Sequence, residues 1–230
     1  MHNALFLILA ALFIPALSAN AAPTVGITAE LGSVEIKQGD KTFVIQRNQD
    51  TDATVDPRFA KTSRPCPPFC IQPMQLAPGV ETIAELEMID YLKRMSNGEP
   101  ILVIDSRTPD WVSHGTIPGA KNLPWTGINP KKGATTESIM KILINEFGVR
   151  LAKGADTFSV DEAVVEGDTS KVFDFSAAKT LVLFCNGMWC GQSPNNILNL
   201  LKFGYPADKL KWYRGGMQNW SNLGLTTVTR

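Results

Sequence analysis

The sequence predicts an α/β domain: a central parallel sheet flanked by helices, preceded by a small N-terminal β and extended arm. Two observations carry this. Ile101-Leu102-Val103-Ile104 and Leu181-Val182-Leu183-Phe184 are uninterrupted apolar runs, the form of strands buried on both faces. Stretches with helical spacing of apolar residues lie before, between and after them, as right-handed crossovers between parallel strands require.

The elements follow in order. Ala4 to Leu17 is apolar, is too short to span a bilayer comfortably, and leads into Ala19-Asn20-Ala21, a small-x-small cleavage pattern. Residues 1–21 therefore read as a signal peptide, with an uncleaved anchor as the alternative, since the segment ahead of the apolar run holds His2 but no Lys or Arg. Export places the mature chain in the periplasm or outside the cell, with no membrane contact after signal cleavage.

Residues 22–79 form the arm. Val34-Glu35-Ile36 alternates, Gly39-Asp40 can turn, and Phe43-Val44-Ile45 follows, which predicts a hairpin. From residue 48 onward the chain is polar and carries Pro57, Pro65, Pro67, Pro68, Pro73 and Pro78, so it is extended, with Cys66 and Cys70 inside it.

Residues 80–230 form the domain. Thr82-Ile83-Ala84-Glu85 has the form of a capping box, and Ile83, Leu86, Ile89 and Leu92 keep helical spacing until Asn97-Gly98. Thr136 to Phe147 predicts a second helix, closed by Gly148. Residues 158–175 are ambiguous and read best as a hairpin around Glu166-Gly167-Asp168. Ser193-Pro194 supplies an N-cap and a first-turn proline for a helix through Ile197, Leu198, Leu200 and Leu201, ended by Gly204.

Composition narrows the function. Basic and acidic residues number 22 each, so no charge excess draws the chain to nucleic acid or an anionic membrane. Its partners are expected to be a small sulfur-containing substrate or a thiol protein, with a periplasmic protein partner possible. Beyond His2 the only histidine is His114, which reads as a surface polar residue and leaves no serine-hydrolase triad or histidine-rich metal site. No metal or other cofactor is expected. No phosphate-binding glycine loop and no internal repeat occurs.

The chemistry points to Cys185. A buried strand delivers it, a loop follows, and a helix begins near Ser193, so loop amides and the helix dipole converge on the sulfur and favour a thiolate. Gly187 and Gly191 let the loop curl. Asn186, Gly187, Met188, Trp189, Gly191, Gln192 and Ser193 are then the substrate-binding loop, with Met188 and Trp189 at an apolar mouth. Packing of Trp189 on the loop is the alternative for that residue, as burial of a structural cysteine is for Cys185.

Three separated segments resemble the rhodanese-like family. Ile101 to Arg107, an apolar strand ending in Asp-x-Arg, is followed by Gly115-Thr116-Ile117-Pro118-Gly119-Ala120-Lys121-Asn122-Leu123-Pro124. The strand, cysteine, loop and helix just described come next. Tyr213-Arg214-Gly215-Gly216-Met217-Gln218-Asn219-Trp220 is similar to the closing Gly-Gly-x-x-x-Trp segment. The resemblance spans roughly residues 80–225 and implies persulfide chemistry. In that scheme Cys185 takes sulfane sulfur and hands it to a nucleophilic acceptor, while Asp105 and Arg107 brace the loop.

Two departures qualify the resemblance. The family loop reads Cys-x-x-Gly-x-Arg-Ser; here the loop is longer by two residues and holds Gln192 where Arg is expected. That weakens the case for a thiosulfate dianion and opposes cysteine-phosphatase chemistry, which needs an arginine fork. Arg214 or Lys121 is a substitute cation. The second departure is Cys190, placed to pair with Cys185 or to resolve a persulfide.

The Cys66–Cys70 segment leaves three readings open: a local disulfide, a redox pair exchanging with Cys185 and Cys190, and a soft-metal site with Met74 and His114. Three functions remain for the chain: a sulfurtransferase, a thiol-disulfide oxidoreductase using Cys185 and Cys190, and an inactive binding module on the same scaffold.

Overall fold

A computed structural model describes residues 24–229; the expected signal peptide lies outside the described residues. The hairpin forms as β1 (Ser33–Gln38) and β2 (Lys41–Gln46), antiparallel, with Val34 opposite Ile45. Such a hairpin is marginal alone. Its apolar face is buried in the domain: Val34, Ile36 and Ile45 pack in one cluster with Met88, Leu92 and Trp220. Each such burial contributes roughly 1.5–3 kcal/mol, so the hairpin is part of the domain's core. A bridge between Arg47 and Leu225 ties it to the carboxyl-terminal segment.

The central sheet has five parallel strands: β3 (Glu81–Ile83), β4 (Ile101–Asp105), β5 (Lys121–Asn122), β8 (Thr180–Phe184) and β9 (Leu210–Tyr213), in the order β3-β9-β8-β4-β5. The remaining strands, β6 (Arg150–Leu151) and β7 (Phe173–Asp174), make a separate antiparallel pair. Both apolar runs seen in the sequence are interior strands, and β8 is the middle one.

Alternation along β8 divides two cores. Leu181 and Leu183 face Ile139, Leu143 and Phe147, from α3 (Thr136–Asn145) and the turn after it, and Ile197 and Leu200 of α5 (Gln192–Lys202). Val182 and Phe184 share the other core with Met88, Ile89 and Leu92 of α1 (Glu85–Ser96), Met217 and Trp220 of α6 (Gly216–Asn222), and the hairpin. A short α2 (Pro109–Ser113) follows β4. Among the described residues, no helix is long and apolar enough to cross a membrane.

Three local expectations are corrected. Thr82 does not cap α1: it lies in β3, and its hydroxyl donates to the carbonyl of Met74. The helix starts two residues later, behind Ala84, whose N–H donates to Glu87 Oε2 at 3.1 Å. Residues 157–166 form α4 (Thr157–Glu166) in place of a hairpin. The β-branched run there favours a strand, but the caps decide otherwise. Asp156 accepts from the Ser159 N–H, Ser159 Oγ accepts from the Asp156 N–H, and Gly167 closes the helix at φ +77°. Finally, α5 begins at Gln192 behind Gly191, so Ser193 stands inside its first turn and is not its N-cap.

Candidate active site

The loop after β8 is pinned before it reaches the helix. Ser106 N–H donates to the Phe184 carbonyl at 2.9 Å, Met217 N–H to Cys185 O at 2.9 Å, and Gln218 N–H to Asn186 O at 2.9 Å. Gly216 makes the last two possible. It sits at φ +55°, and a Cβ there would lie 2.3 Å from Cys185 O and 2.8 Å from Gly187 N. The Gly-Gly pair of the closing segment is thus the surface on which the cysteine loop rests.

Cys185 is 2% exposed and its thiol is free. Burial pushes the thiol up, but Cys190 Sγ, Ser193 Oγ and the backbone N–H groups of Ser193 and Gly187 stabilise its anion and together bring it down to about 7. Ser193 Oγ stands 3.1 Å from the sulfur. Trp212 Nε1 donates to that same oxygen at 3.2 Å. A hydroxyl has one proton, and with the indole N–H filling a lone pair, that proton is directed at Cys185.

Cys190, 4% exposed, is the partner of opposite character. Burial and the adjacent Cys185 push its thiol well above the ordinary range. Its N–H donates to Gly187 O at 2.9 Å, closing the loop, and Gln192 Oε1 lies 3.8 Å from its sulfur. Gln192, at the position of the expected arginine, therefore faces the second thiol.

The arm folds over this loop. Cys66 and Cys70 form a disulfide, which removes their sulfurs from any soft-metal site with Met74 and His114. Within that disulfide loop, Phe69 meets Trp189 at a ring separation of 5.7 Å. Gln72 N–H donates to Met188 O at 2.8 Å. Trp189 Nε1 donates to Gln218 Oε1 at 2.6 Å, and Arg64 stacks over the Trp189 ring at 4.0 Å. Trp189 is thus the post on which the arm closes.

Between arm and loop lies a cleft of about 370 Å³. Phe69, Trp111, Trp125 and Trp189 wall it, and Asn186, Cys190, Gln192 and Asn195 give it polar groups. Cys190 lines it and Cys185 does not. Asn186 is buried, and its Oδ1 has no hydrogen-bond partner among the described residues.

The other predicted residues are placed as follows. Asp105 and Arg107 form a buried fork, with Nε to Oδ1 at 2.9 Å and Nη2 to Oδ2 at 2.6 Å; Arg107 also donates to Gly115 O, and the Thr116 hydroxyl to Asp105. They brace the segment after β4, behind the site. Arg214 does not serve as a substitute cation in the cleft: its guanidinium donates to the carbonyls of Gln72 and Pro73 and holds the arm. Lys121 pairs with Glu146. His114 is exposed beyond α2, its ring against Asp110 O.

Sequence reasoning missed Trp212, Phe69, Trp111 and Trp125. Each lies outside the cysteine loop, and only the fold carries it there. Trp212 offered one signal: it lies in the strand that leads into the Gly-Gly segment.

The family model described as Rhodanese-like domain matches residues 88–223. No curated protein matches the chain. Among solved structures, a full-length protein from Lactobacillus plantarum is 17% identical, with 65% of this chain and 88% of that one covered and a TM-score of 0.35. A protein from Staphylococcus saprophyticus is 17% identical, over 64% and 99% of the chains, with a TM-score of 0.33. A protein of unknown function from Rhodopseudomonas palustris, titled a possible tyrosine phosphatase, is 16% identical over 61% and 79%, with a TM-score of 0.34. With the family match spanning more than half of its length, from α1 to the end of α6, this chain belongs to the rhodanese-like domain family.

Proposed function

We propose that the chain is a sulfurtransferase of the periplasm or extracellular space, carrying sulfane sulfur as a persulfide on Cys185. One observation carries the reading: the Ser193 hydroxyl, the Ser193 and Gly187 amides and the Cys190 thiol all converge on the Cys185 sulfur. Such a cradle stabilises a thiolate before transfer and a persulfide anion after it.

In the loading step the Cys185 thiolate attacks the outer sulfur of a donor. The new bond is Sγ–S, the bond between that sulfur and the rest of the donor breaks, and the donor leaves with the electron pair. An acceptor nucleophile then takes the outer sulfur and regenerates the thiolate. Cys190 offers a second exit. Its sulfur attacks Cys185 Sγ, the outer sulfur leaves with the bonding pair and takes the Cys190 proton, and hydrogen sulfide and a Cys185–Cys190 disulfide result, which a thiol protein reduces. Phosphatase chemistry is disfavoured, since no arginine stands in the loop.

A second reading, thiol-disulfide exchange, is favoured by one specific contact: Cys185 Sγ lies 3.4 Å from the carbonyl oxygen of Cys190, and the two free thiols differ in acidity. Intact-mass and peptide mapping separate the two readings. After exposure to a sulfane donor, Cys190→Ser is expected to gain one sulfur atom on Cys185, and Cys185→Ser none. If Cys185→Ser transfers sulfur at the wild-type rate, the assignment is wrong. A Cys185–Cys190 redox couple with no persulfide in either variant would select the second reading.

A further inference from the structure

The two cysteines of the loop differ in what reaches them. Cys190 stands in the wall of the aromatic cleft beside Trp189 and Gln192, and Cys185 is not part of that wall. A thiol entering through the cleft therefore meets the Cys190 sulfur. Cys185 has the better cradle for an anion: the Ser193 hydroxyl at 3.1 Å and the backbone N–H groups of Ser193 and Gly187. At Cys190, burial and the neighbouring Cys185 outweigh the Gln192 and Asn186 amides, and the Gln192 side chain presents an acceptor, Oε1 at 3.8 Å.

Disulfide exchange is sensitive to this asymmetry. A thiolate attacks the sulfur it can approach, and the other sulfur departs faster the more stable its anion is. Both criteria choose one direction here. Access selects Cys190 for attack, and the donors around Cys185 receive the departing thiolate.

The approach also limits the thiol. Phe69, Trp111, Trp125 and Trp189 wall it, and no Lys, Arg, His, Asp or Glu is among its lining residues. Arg64 and Lys132 stack on the Trp189 and Trp125 rings outside that lining. A thiol on an apolar group fits such walls, whereas an anionic carrier would lose its hydration there.

We propose that, in the oxidised loop, Cys190 takes the incoming thiol, one carried on an apolar group, and Cys185 is the leaving group. This rests on the Cys185–Cys190 disulfide of the function proposed above. The exchange balances: R–S⁻ bonds to Cys190 Sγ, the Cys190–Cys185 bond breaks, and Cys185 leaves with the electron pair as a thiolate. A second thiol then attacks the R-bearing sulfur and R–S–S–R departs. Cys190 takes the proton which that thiol gave up, so two thiols are oxidised and the loop disulfide is reduced.

The direction of exchange is read on the wild-type protein. It is oxidised until peptide mapping shows the Cys185–Cys190 disulfide, mixed with phenylmethanethiol, and quenched with excess iodoacetamide after increasing times. Fragment-ion spectra of the peptide holding both cysteines are expected to place the benzylthio group on Cys190 and the carbamidomethyl group on Cys185. The reverse placement overturns the proposal, as does reduction with no Cys190 adduct at any time, or no reduction at all. If oxidation yields no Cys185–Cys190 disulfide, the reading beneath the proposal fails and the proposal falls with it.

The route is read from rates. Reduction by phenylmethanethiol, by the capped peptide Leu-Cys-Phe and by 2-mercaptoethanesulfonate is compared, each referred to its own rate with 2-hydroxyethyl disulfide. A preference of at least about tenfold for either apolar thiol over the sulfonate is expected, and the faster of the two tells a small thiol from a protein cysteine as the source. Parity with the sulfonate overturns the cleft as the route.

Discussion

Phe69 and Trp189 meet at an interplanar angle of 75°, so the residue enclosed by one cysteine pair packs on a residue enclosed by the other. The arm thereby packs on the cysteine loop from a segment that precedes the family's matched region. An aromatic pair of this geometry contributes about 0.5–1.5 kcal/mol beyond its buried area. Phe69→Ala is expected to loosen the arm and speed alkylation of Cys190 by about threefold to tenfold, read by mass-resolved labelling. An unchanged rate would show that the arm does not cover the loop.

The buried fork of Asp105 and Arg107 sets a stability prediction. Removing one partner leaves a buried charge uncompensated, at a cost of about 3–5 kcal/mol. Asp105→Ala is expected to lower the unfolding free energy by that amount, read as a lower denaturant midpoint at an unchanged slope. A loss below about 1 kcal/mol would mean that the fork is solvated in solution.

Gly216 links the closing segment to the nucleophile. A methyl group there meets Cys185 O, and the residue must also hold a left-handed backbone. Gly216→Ala is expected to shift the cysteine loop and cut sulfur loading at least tenfold, while Gly133→Ala, also left-handed but in open space, costs about 1 kcal/mol of stability and leaves loading unchanged. Equal loading by both variants would contradict the role given to Gly216.

These relationships show how far the sequence could be read. The two apolar runs, the hairpin and the position of Cys185 were legible, because hydrophobic period and turn chemistry are local signals. The fork of Asp105 and Arg107 was readable as a brace from the resemblance alone. The helix at 157–166 was hidden, because its valines argue for a strand and the Asp156–Ser159 cap is a weak pattern. The Ser193 contact was anticipated only as a cap. Its actual role needs Trp212, which lies 19 positions away. The cleft was beyond reach, since its walls come from the arm, the segments after β4 and the cysteine loop, and no periodicity links them.

The acidity of Cys185 gives a pH profile. Only the thiolate attacks, so below about 7 the loading rate is expected to fall about tenfold per pH unit, and above it to level off. Stopped-flow loading across neutral pH checks this. A rate still climbing well into the alkaline range would match an ordinary thiol.

With donors converging on it, the Cys185 sulfur is expected to ionise far more readily than a free thiol, and titration of its isotope-labelled Cβ resonance in the reduced protein reads its charge. A midpoint at about 7 is expected, moved upward in Ser193→Ala because the hydroxyl donor is gone. A midpoint at or above that of a free cysteine, about 8.5, and indifferent to Ser193→Ala, would contradict it.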